Sequence, residues 1–129
     1  MVAKMRKEVI EAAIASGLEV AFADGVLQAH EQDRLLARMR HEVDGDIVSQ
    51  GALTRILGEY LDLYRTDREA AHARSKKAMA ISFEPEEADQ IIRLCIAVGY
   101  SKKVMSYVER RACRQVAERL GMKPADYDL

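Results

Sequence analysis

Apolar residues recur with a helical period along almost the whole chain, and this pattern limits the fold more than any other feature. In the first segment they are spaced by three, four and seven residues, which places them on one face of an α-helix. This face consists of Ile10, Ala13, Ile14, Gly17, Leu18, Ala21 and Phe22. No segment shows the alternation of a strand bounded by turn residues. The pattern therefore predicts an all-α bundle.

Breakers and caps divide the first half of the chain into helices. The first helix is predicted from about Lys4 to Ala23 and ends at Asp24-Gly25, because glycine accepts positive φ and Asp bonds nearby backbone amides. A second helix follows, and the segment from His41 to Asp46 is predicted to be a loop with a second acidic turn. Ser49 is the expected cap of the third helix.

The second half of the chain has clearer caps. Thr66-Asp67-Arg68-Glu69 fits a capping box that begins a fourth helix, which is predicted to run to about Ile81. Pro85 suits the first turn of a fifth helix that is apolar on more than one face and is therefore expected to be central. Ser106-Tyr107-Val108-Glu109 is a second capping box, and Gly121 is expected to end the sixth helix.

Composition sets limits on function. The 129 residues predict a single domain, 1–129, and the net charge of −1 gives no general attraction to nucleic acid or anionic lipid. Nucleic acid is therefore not an expected partner. No apolar run approaches the roughly 20 residues that span a bilayer, so no membrane span is predicted and we expect a cytoplasmic protein. Cys95 and Cys113 stand singly in apolar stripes and are predicted to be buried, reduced thiols.

The first and last helical hairpins repeat each other at an offset of 78 residues, as from Ile14 to Ile92. The offset pairs most apolar positions, and it pairs Glu31 with Glu109. At the positions that correspond to Asp24-Gly25, the second hairpin instead has Lys102-Lys103. We therefore predict about six to seven helices, in which two pseudo-symmetric hairpins flank a central pair and place their inter-helix loops at the same end of the bundle.

These motifs, in this order, resemble the tellurite-resistance TerB-like family. The features that carry the resemblance are Asp24-Gly25 at a helix end, an acid seven residues after that Asp, the second such unit and the closing segment from Leu120 to Tyr127. The resemblance covers nearly the whole chain. It implies a compact, mostly helical cytoplasmic protein encoded with tellurite and stress-resistance functions, with no established catalytic activity and with acidic loops suspected of binding divalent cations.

By this resemblance, the first acidic unit of the family corresponds to Asp24, Gly25 and Glu31. The second unit keeps only Glu109. Asp24, Glu31 and Glu109 are thus the candidate ligands of a divalent cation. Lys102 and Lys103 weaken this prediction, because hard cations need several oxygen ligands and a nearby ammonium opposes a divalent ion. Together with the acids, these lysines could form a loop cluster that binds a partner or replaces the ion.

A structural interpretation of the two glutamates is also open. Both occupy the third position of a predicted helix, where a carboxylate can accept a hydrogen bond from the backbone amide of the cap. Ser106 supplies the capping hydroxyl in the second copy, and Gln28 is a poorer substitute in the first. Helix capping would account for both acids and would leave Asp24 as the residue that raises the functional question.

Two functions follow as hypotheses. The preferred one is a non-enzymatic interaction module of a tellurite or general stress response, whose loop end binds a protein partner such as another tellurite-resistance protein. A homodimer is also left open. The alternative is a divalent-cation binder or sensor; apart from such an ion, no cofactor is predicted. An enzyme is a distant third, because no zinc spacing, phosphate loop or nucleophile elbow is present in the sequence.

Overall fold

Six α-helices and a short 3₁₀ turn make up the described part of the chain, which contains no strand. The computed structural model describes residues 6–23, 25, 27, 29–42, 47–100 and 104–129, with the backbone alone described at 42 and 47–49. The helices are α1 Lys7–Ala21, α2 Ala29–Glu42, α3 Ile47–Thr66, α4 Arg68–Met79, α5 Pro85–Gly99 and α6 Tyr107–Arg119, and the 3₁₀ turn is Pro124–Tyr127. The predicted all-α bundle is confirmed.

The first helix, α1, lies at the centre of the bundle. It contacts α3, α4, α5 and α6, while α2 packs against α3 and α5. Many of its buried residues are small, including Ala12, Ala13 and Ala15. Small side chains allow neighbouring helices to approach closely, and a Cβ added to Gly17 would lie only 2.8 Å from Met39 Cε.

The prediction that the fifth helix is central was therefore incomplete. Helix α5 is largely buried and contacts α1, α2 and α6, but α1 is more enclosed. The pair α3 and α4 is central in chain order, whereas in space it packs against α1. Alanine and glycine on several sides of α1 gave a weaker apolar signal than the large residues of α5. This difference explains why the sequence pattern indicated α5 and did not reveal that α1 is more enclosed.

Several predicted boundaries were wrong by a few residues. Helix α1 ends at Ala21 and α4 ends at Met79, two residues before the predicted ends at Ala23 and Ile81. His41 belongs to α2 and not to the predicted loop, while residues 43–46, where the acidic turn was predicted, lie outside the described residues. Ser49 is not a cap, because α3 already begins at Ile47.

The boundary between α3 and α4 uses Asp67 as its cap, and not Thr66 as predicted. The Ala70 N–H donates to Asp67 Oδ1 at 3.1 Å. Thr66 remains the last residue of α3, and its hydroxyl donates to the Asp62 carbonyl oxygen at 2.8 Å. Asp and Thr both cap helices well, so the pattern alone could not choose between adjacent residues.

Other predicted features are confirmed. Pro85 is the first residue of α5, and Gly121 follows α6 with a φ of 73°, in the left-handed region that favours glycine. Cys95 and Cys113 are free and fully buried. Burial raises the pKa of the Cys113 thiol to about 12, and the negative charge of Glu109 adds to the shift. Among the described helices, none combines the length and apolar character needed to cross a bilayer.

Candidate functional site

Two helix joints resemble each other in structure as they do in sequence. We define the α1–α2 joint as residues 22–31 and the α5–α6 joint as residues 100–109. Phe22 follows α1 and Tyr100 follows α5, and each donates its backbone N–H to the carbonyl oxygens four and two residues earlier. Leu27 and Met105, which the repeat pairs, are both 6% exposed. The two joints therefore end and anchor their helices in the same way.

The two joints bring Glu31 and Glu109 to one small cavity. Its volume is about 10 Å³, close to the space that a single water molecule needs. Apolar residues from both hairpins, including Leu27 and Val98, complete its lining. The two hairpins thus meet at the same end of the bundle, as the repeat predicted.

Glu109 has a structural role that the sequence predicted. Its backbone N–H donates to Ser106 Oγ at 3.1 Å, and the Ser106 N–H donates to Glu109 Oε1 at 3.0 Å. Both halves of the capping box are therefore formed, although the side chain is only 2% exposed. Glu31 has the equivalent position in the first turn of α2 and is half-buried. Gln28, its predicted cap, lies outside the described residues.

A cation that the sequence prediction missed lies at the same cavity. Arg34 lines it together with Glu31 and Glu109. Its guanidinium therefore adds a positive charge to the residues that line the same cavity as the two carboxylates. Its spacing of three residues from Glu31 on one helix face was the available signal.

The metal site remains a prediction. Within the described residues, no group of three or more His, Cys, Asp or Glu side chains is placed to hold an ion. The candidate ligand Asp24 lies outside the described residues, as do Lys102 and Lys103 of the predicted loop cluster. The structure therefore unites two of the three candidate acids and leaves the contribution of the third as an expectation.

The described residues of the α5–α6 joint include four exposed apolar or aromatic side chains. The exposed fractions are 45% for Tyr100, 76% for Val104, 72% for Tyr107 and 45% for Val108. Isolated exposed apolar residues are ordinary, but four large ones within nine residues of sequence are characteristic of a contact surface. This joint therefore combines a buried acid on its inner side with apolar side chains on its outer side.

An open groove begins beside this surface at Val108. One wall is a single face of α6 and the other is formed by α4, with the end of α1 and Tyr64 of α3 between them. Its volume is about 440 Å³. The α6 wall consists of Val108, Arg111, Ala112, Gln115 and Arg119, and the α4 wall consists of Arg68 and His72.

Aromatic rings form the floor of the groove. Phe22 and Tyr64 are stacked, with 4.2 Å between ring centroids and 4° between ring planes. The Arg68 guanidinium lies 5.4 Å from the centroid of Phe22 and 5.7 Å from that of Tyr64, within the range of cation–π attraction. His72 approaches the edge of the Tyr64 ring. These contacts hold one arginine in place at the rim.

Tyr64 also carries a buried hydroxyl that has no hydrogen-bond partner among the described residues. Burial raises the pKa of this hydroxyl to about 12, and the negative charge of Glu19 adds to the shift. Glu19 is itself satisfied, because it accepts hydrogen bonds from Arg119 at 2.9 Å and from Ser75 at 3.0 Å. The groove therefore has a fixed acidic group at one end and an unsatisfied donor beneath it.

The comparison with known proteins agrees with this architecture. The family model described as tellurite resistance protein TerB matches residues 10–129. The chain belongs to the TerB family. Neither the curated proteins nor the solved structures contain a significant match to it.

Proposed function

We propose that this TerB-family chain is a non-enzymatic cytoplasmic protein of tellurite or stress resistance that acts as an interaction module. Its loop end, where the two joints meet, binds a partner protein. The observation that carries the proposal is the exposed apolar surface of the α5–α6 joint, formed by Tyr100, Val104, Tyr107 and Val108. Aromatic side chains with a polar tip are enriched in protein interfaces, and Tyr107 is 72% exposed.

The interior of the joint supports this interpretation. The capping box of Ser106 and Glu109 holds the first turn of α6, and the Met105 side chain itself lies in the core. Tyr100 is also held, because Arg110 donates to its hydroxyl at 3.3 Å. Side chains on a fixed backbone lose less conformational entropy on binding than mobile ones, so Tyr107 and Val108, in the capped first turn of α6, are suited to recognition.

Photocrosslinking in cells tests the proposal. Tyr107 is replaced by the photoreactive residue benzoylphenylalanine, and the same replacement at Ile81 is the control. Ile81 is 40% exposed but lies between α4 and α5, outside the joint. We expect a discrete light-dependent adduct from position 107, identified by mass spectrometry, and none from position 81.

The mass of the adduct distinguishes the partners. An adduct with a different protein supports the proposal, and one of twice the chain mass identifies a homodimer instead. No adduct at position 107, or the same adducts at both positions, would contradict an interaction surface at this joint.

The second candidate function is divalent-cation binding or sensing, which we also propose as testable. The observation in its favour is that Glu31 and Glu109 line one cavity, where two carboxylates from different hairpins could contribute oxygen ligands. Asp24 would be the third ligand. The presence of Arg34 at the same cavity argues against it, and we therefore rank it second.

Thermal unfolding with and without Ca²⁺, Mg²⁺, Mn²⁺ and Zn²⁺ tests this candidate, because an ion bound only by the folded state raises Tm. Glu109→Gln is the informative variant, since glutamine can keep the capping hydrogen bond but removes the charge. A metal-dependent rise in Tm that Glu109→Gln abolishes would establish the site. No rise at millimolar metal would exclude a sensor.

A further inference from the structure

We infer that the groove between α6 and α4 binds an acidic segment of the partner protein, with apolar side chains between its carboxylates. The inference rests on the proposed function and specifies the chemistry of the partner. Val108 belongs both to the apolar surface of the α5–α6 joint and to the groove, so the two surfaces are continuous. A partner that covers the joint can therefore extend directly into the groove.

The charge of the groove gives the first argument. The whole chain has a net charge of −1, yet the groove is lined by three arginines and one glutamate. Arg119 pairs with Glu19, while Arg68 and Arg111 lie on opposite walls. Among the described residues, no carboxylate hydrogen-bonds or pairs with either of them. A segment between these walls meets positive charge on both sides and is favoured if it carries carboxylates.

The floor gives the second argument. Between the two arginines lie the stacked rings of Phe22 and Tyr64, and Val108 and Ala112 add aliphatic surface on the α6 side. This floor favours contact with apolar side chains, which a purely polar chain does not provide. Because Arg68 is already held over the rings, little further ordering is needed for its guanidinium to bind a carboxylate.

The dimensions give the third argument. From Val108 to Arg119 the α6 wall rises roughly 16 Å at 1.5 Å per residue. About five residues of extended chain cover that length. The groove of about 440 Å³ lies within the usual range of binding clefts. It therefore fits a short linear segment better than a folded surface.

Nucleic acid fits the groove less well. A phosphodiester backbone needs a continuous basic track, whereas Glu19 occupies one end of this groove and the chain as a whole is slightly acidic. Asp62 also lines the adjoining depression, to which Arg68 contributes as well. Carboxylates spaced along a peptide can meet the two separated arginines without this repulsion.

Fluorescence anisotropy with defined probes tests the inference. The probe is a labelled peptide of about ten residues in which glutamate alternates with phenylalanine and leucine, long enough to span the α6 wall. We expect binding in the micromolar range that weakens about tenfold or more with Arg68→Glu plus Arg111→Glu. The binding should also weaken as salt rises, and a peptide with glutamine in place of glutamate should lose about tenfold or more.

A matched variant controls for net charge. Lys76→Glu plus Lys77→Glu makes the same change in charge on exposed α4 residues outside the groove, and we expect its affinity to stay within about twofold of wild type. Arg111→Glu alone provides a second test if the change at Arg68 disturbs folding. It should still weaken binding several-fold.

Three results would overturn the inference. They are the absence of acidic-peptide binding, equal weakening by the lysine and arginine variants, and tighter binding of a short oligothymidylate than of the peptide. Each of these is distinct from failure of the proposed function. If the crosslink from position 107 persists while the groove variants bind as wild type does, the joint is an interaction surface and the groove is not part of it.

Discussion

The two joints share an interior and differ in their outer surfaces. Leu27 and Met105 anchor them equally in the core, and Glu31 and Glu109 reach the same cavity. On the outside, Tyr100 is 45% exposed, whereas its counterpart Phe22 packs on Tyr64 at the floor of the groove. The helices of the two hairpins also pack differently, because α5 and α6 contact each other directly whereas α1 makes its main contacts with α3, α4, α5 and α6. The comparison indicates that the duplicated hairpin retained its anchor and its acid, and varied its helix packing and its outer surface.

The largest expected effect tests whether the two anchors are equivalent. Leu27→Ala and Met105→Ala should each lower the free energy of unfolding by about 2–5 kcal/mol, because each leaves a cavity in a closely packed core. Urea denaturation measures both. If one substitution costs several kcal/mol and the other almost nothing, the joints are not equivalent despite the repeat.

The next effect separates capping from charge at Glu109. Glu109→Ala should cost about 1–3 kcal/mol, because the Ser106 amide loses its acceptor in a partly buried place. Glu109→Gln should cost clearly less, since an amide oxygen can accept the same hydrogen bond. Chemical unfolding of the two variants compares them. Equal losses would mean that the charge matters more than the cap.

Glu31→Ala extends the same comparison to the first joint. The loss should be smaller than for Glu109→Ala, because Glu31 is less buried and Gln28 is a poor capping residue. A larger loss at Glu31 would show that the α1–α2 joint, and not its copy, depends more on its acid.

The pH dependence of stability tests a further difference, because Leu35 of α2 is replaced by Cys113 in α6. Burial, followed by the charge of Glu109, raises the pKa of this thiol from 9.0 to about 12. Between these values the unfolded state loses its proton and the folded state keeps it. Stability should therefore be constant below about pH 8 and fall by about 1 kcal/mol per pH unit above pH 9 for this group.

Cys113→Ala measures the contribution of this thiol to the slope. Urea titrations between pH 7 and pH 11 should show a less steep alkaline decline in the variant, even though its stability at neutral pH is lower. Burial also raises the pKa of Cys95, so part of the decline should remain. An unchanged slope would contradict the assignment to Cys113.

The smallest expected effect concerns the floor of the groove. Tyr64→Phe removes a buried hydroxyl that has no partner among the described residues and retains the ring that stacks on Phe22. We expect the free energy of unfolding, measured by urea denaturation, to stay the same or to rise by up to about 1 kcal/mol. A loss of more than about 1 kcal/mol would show that the hydroxyl is hydrogen-bonded in solution.

Features that depend on spacing along the chain were predicted better than features that depend on how the helices are arranged in space. The helical period, the capping box at Ser106 and the pairing of Glu31 with Glu109 could be read from sequence because each depends on spacing along the chain. The central place of α1 could not, since alanines on several faces do not reveal how many neighbours surround a helix. Asp67, adjacent to the predicted cap, was missed because Thr66 and Asp67 are both good capping residues.

The groove could not be predicted from the sequence for a similar reason. Phe22, Tyr64, Arg68 and Val108 come from four helices or their ends, and no spacing along the chain connects them. The basic character of α6 was apparent from sequence, but the partial compensation of that charge by Glu19 was not. Arg34 is likewise one of several arginines on α2 in the sequence, and only the fold shows that it lines the same cavity as Glu109.

The most direct test of the account is the survival on tellurite of a tellurite-sensitive strain with and without expression of this protein. The test compares wild type with Tyr107→Asp, and Ile81→Asp is the control for the loss of an exposed apolar side chain elsewhere. Neither substitution should change the unfolding free energy by more than about 0.5 kcal/mol, because both positions are exposed. We predict that Tyr107→Asp loses most of the gain in survival and that Ile81→Asp keeps it. Equal survival of the two variants, or no gain from the wild-type protein, would contradict a resistance function carried by the α5–α6 joint.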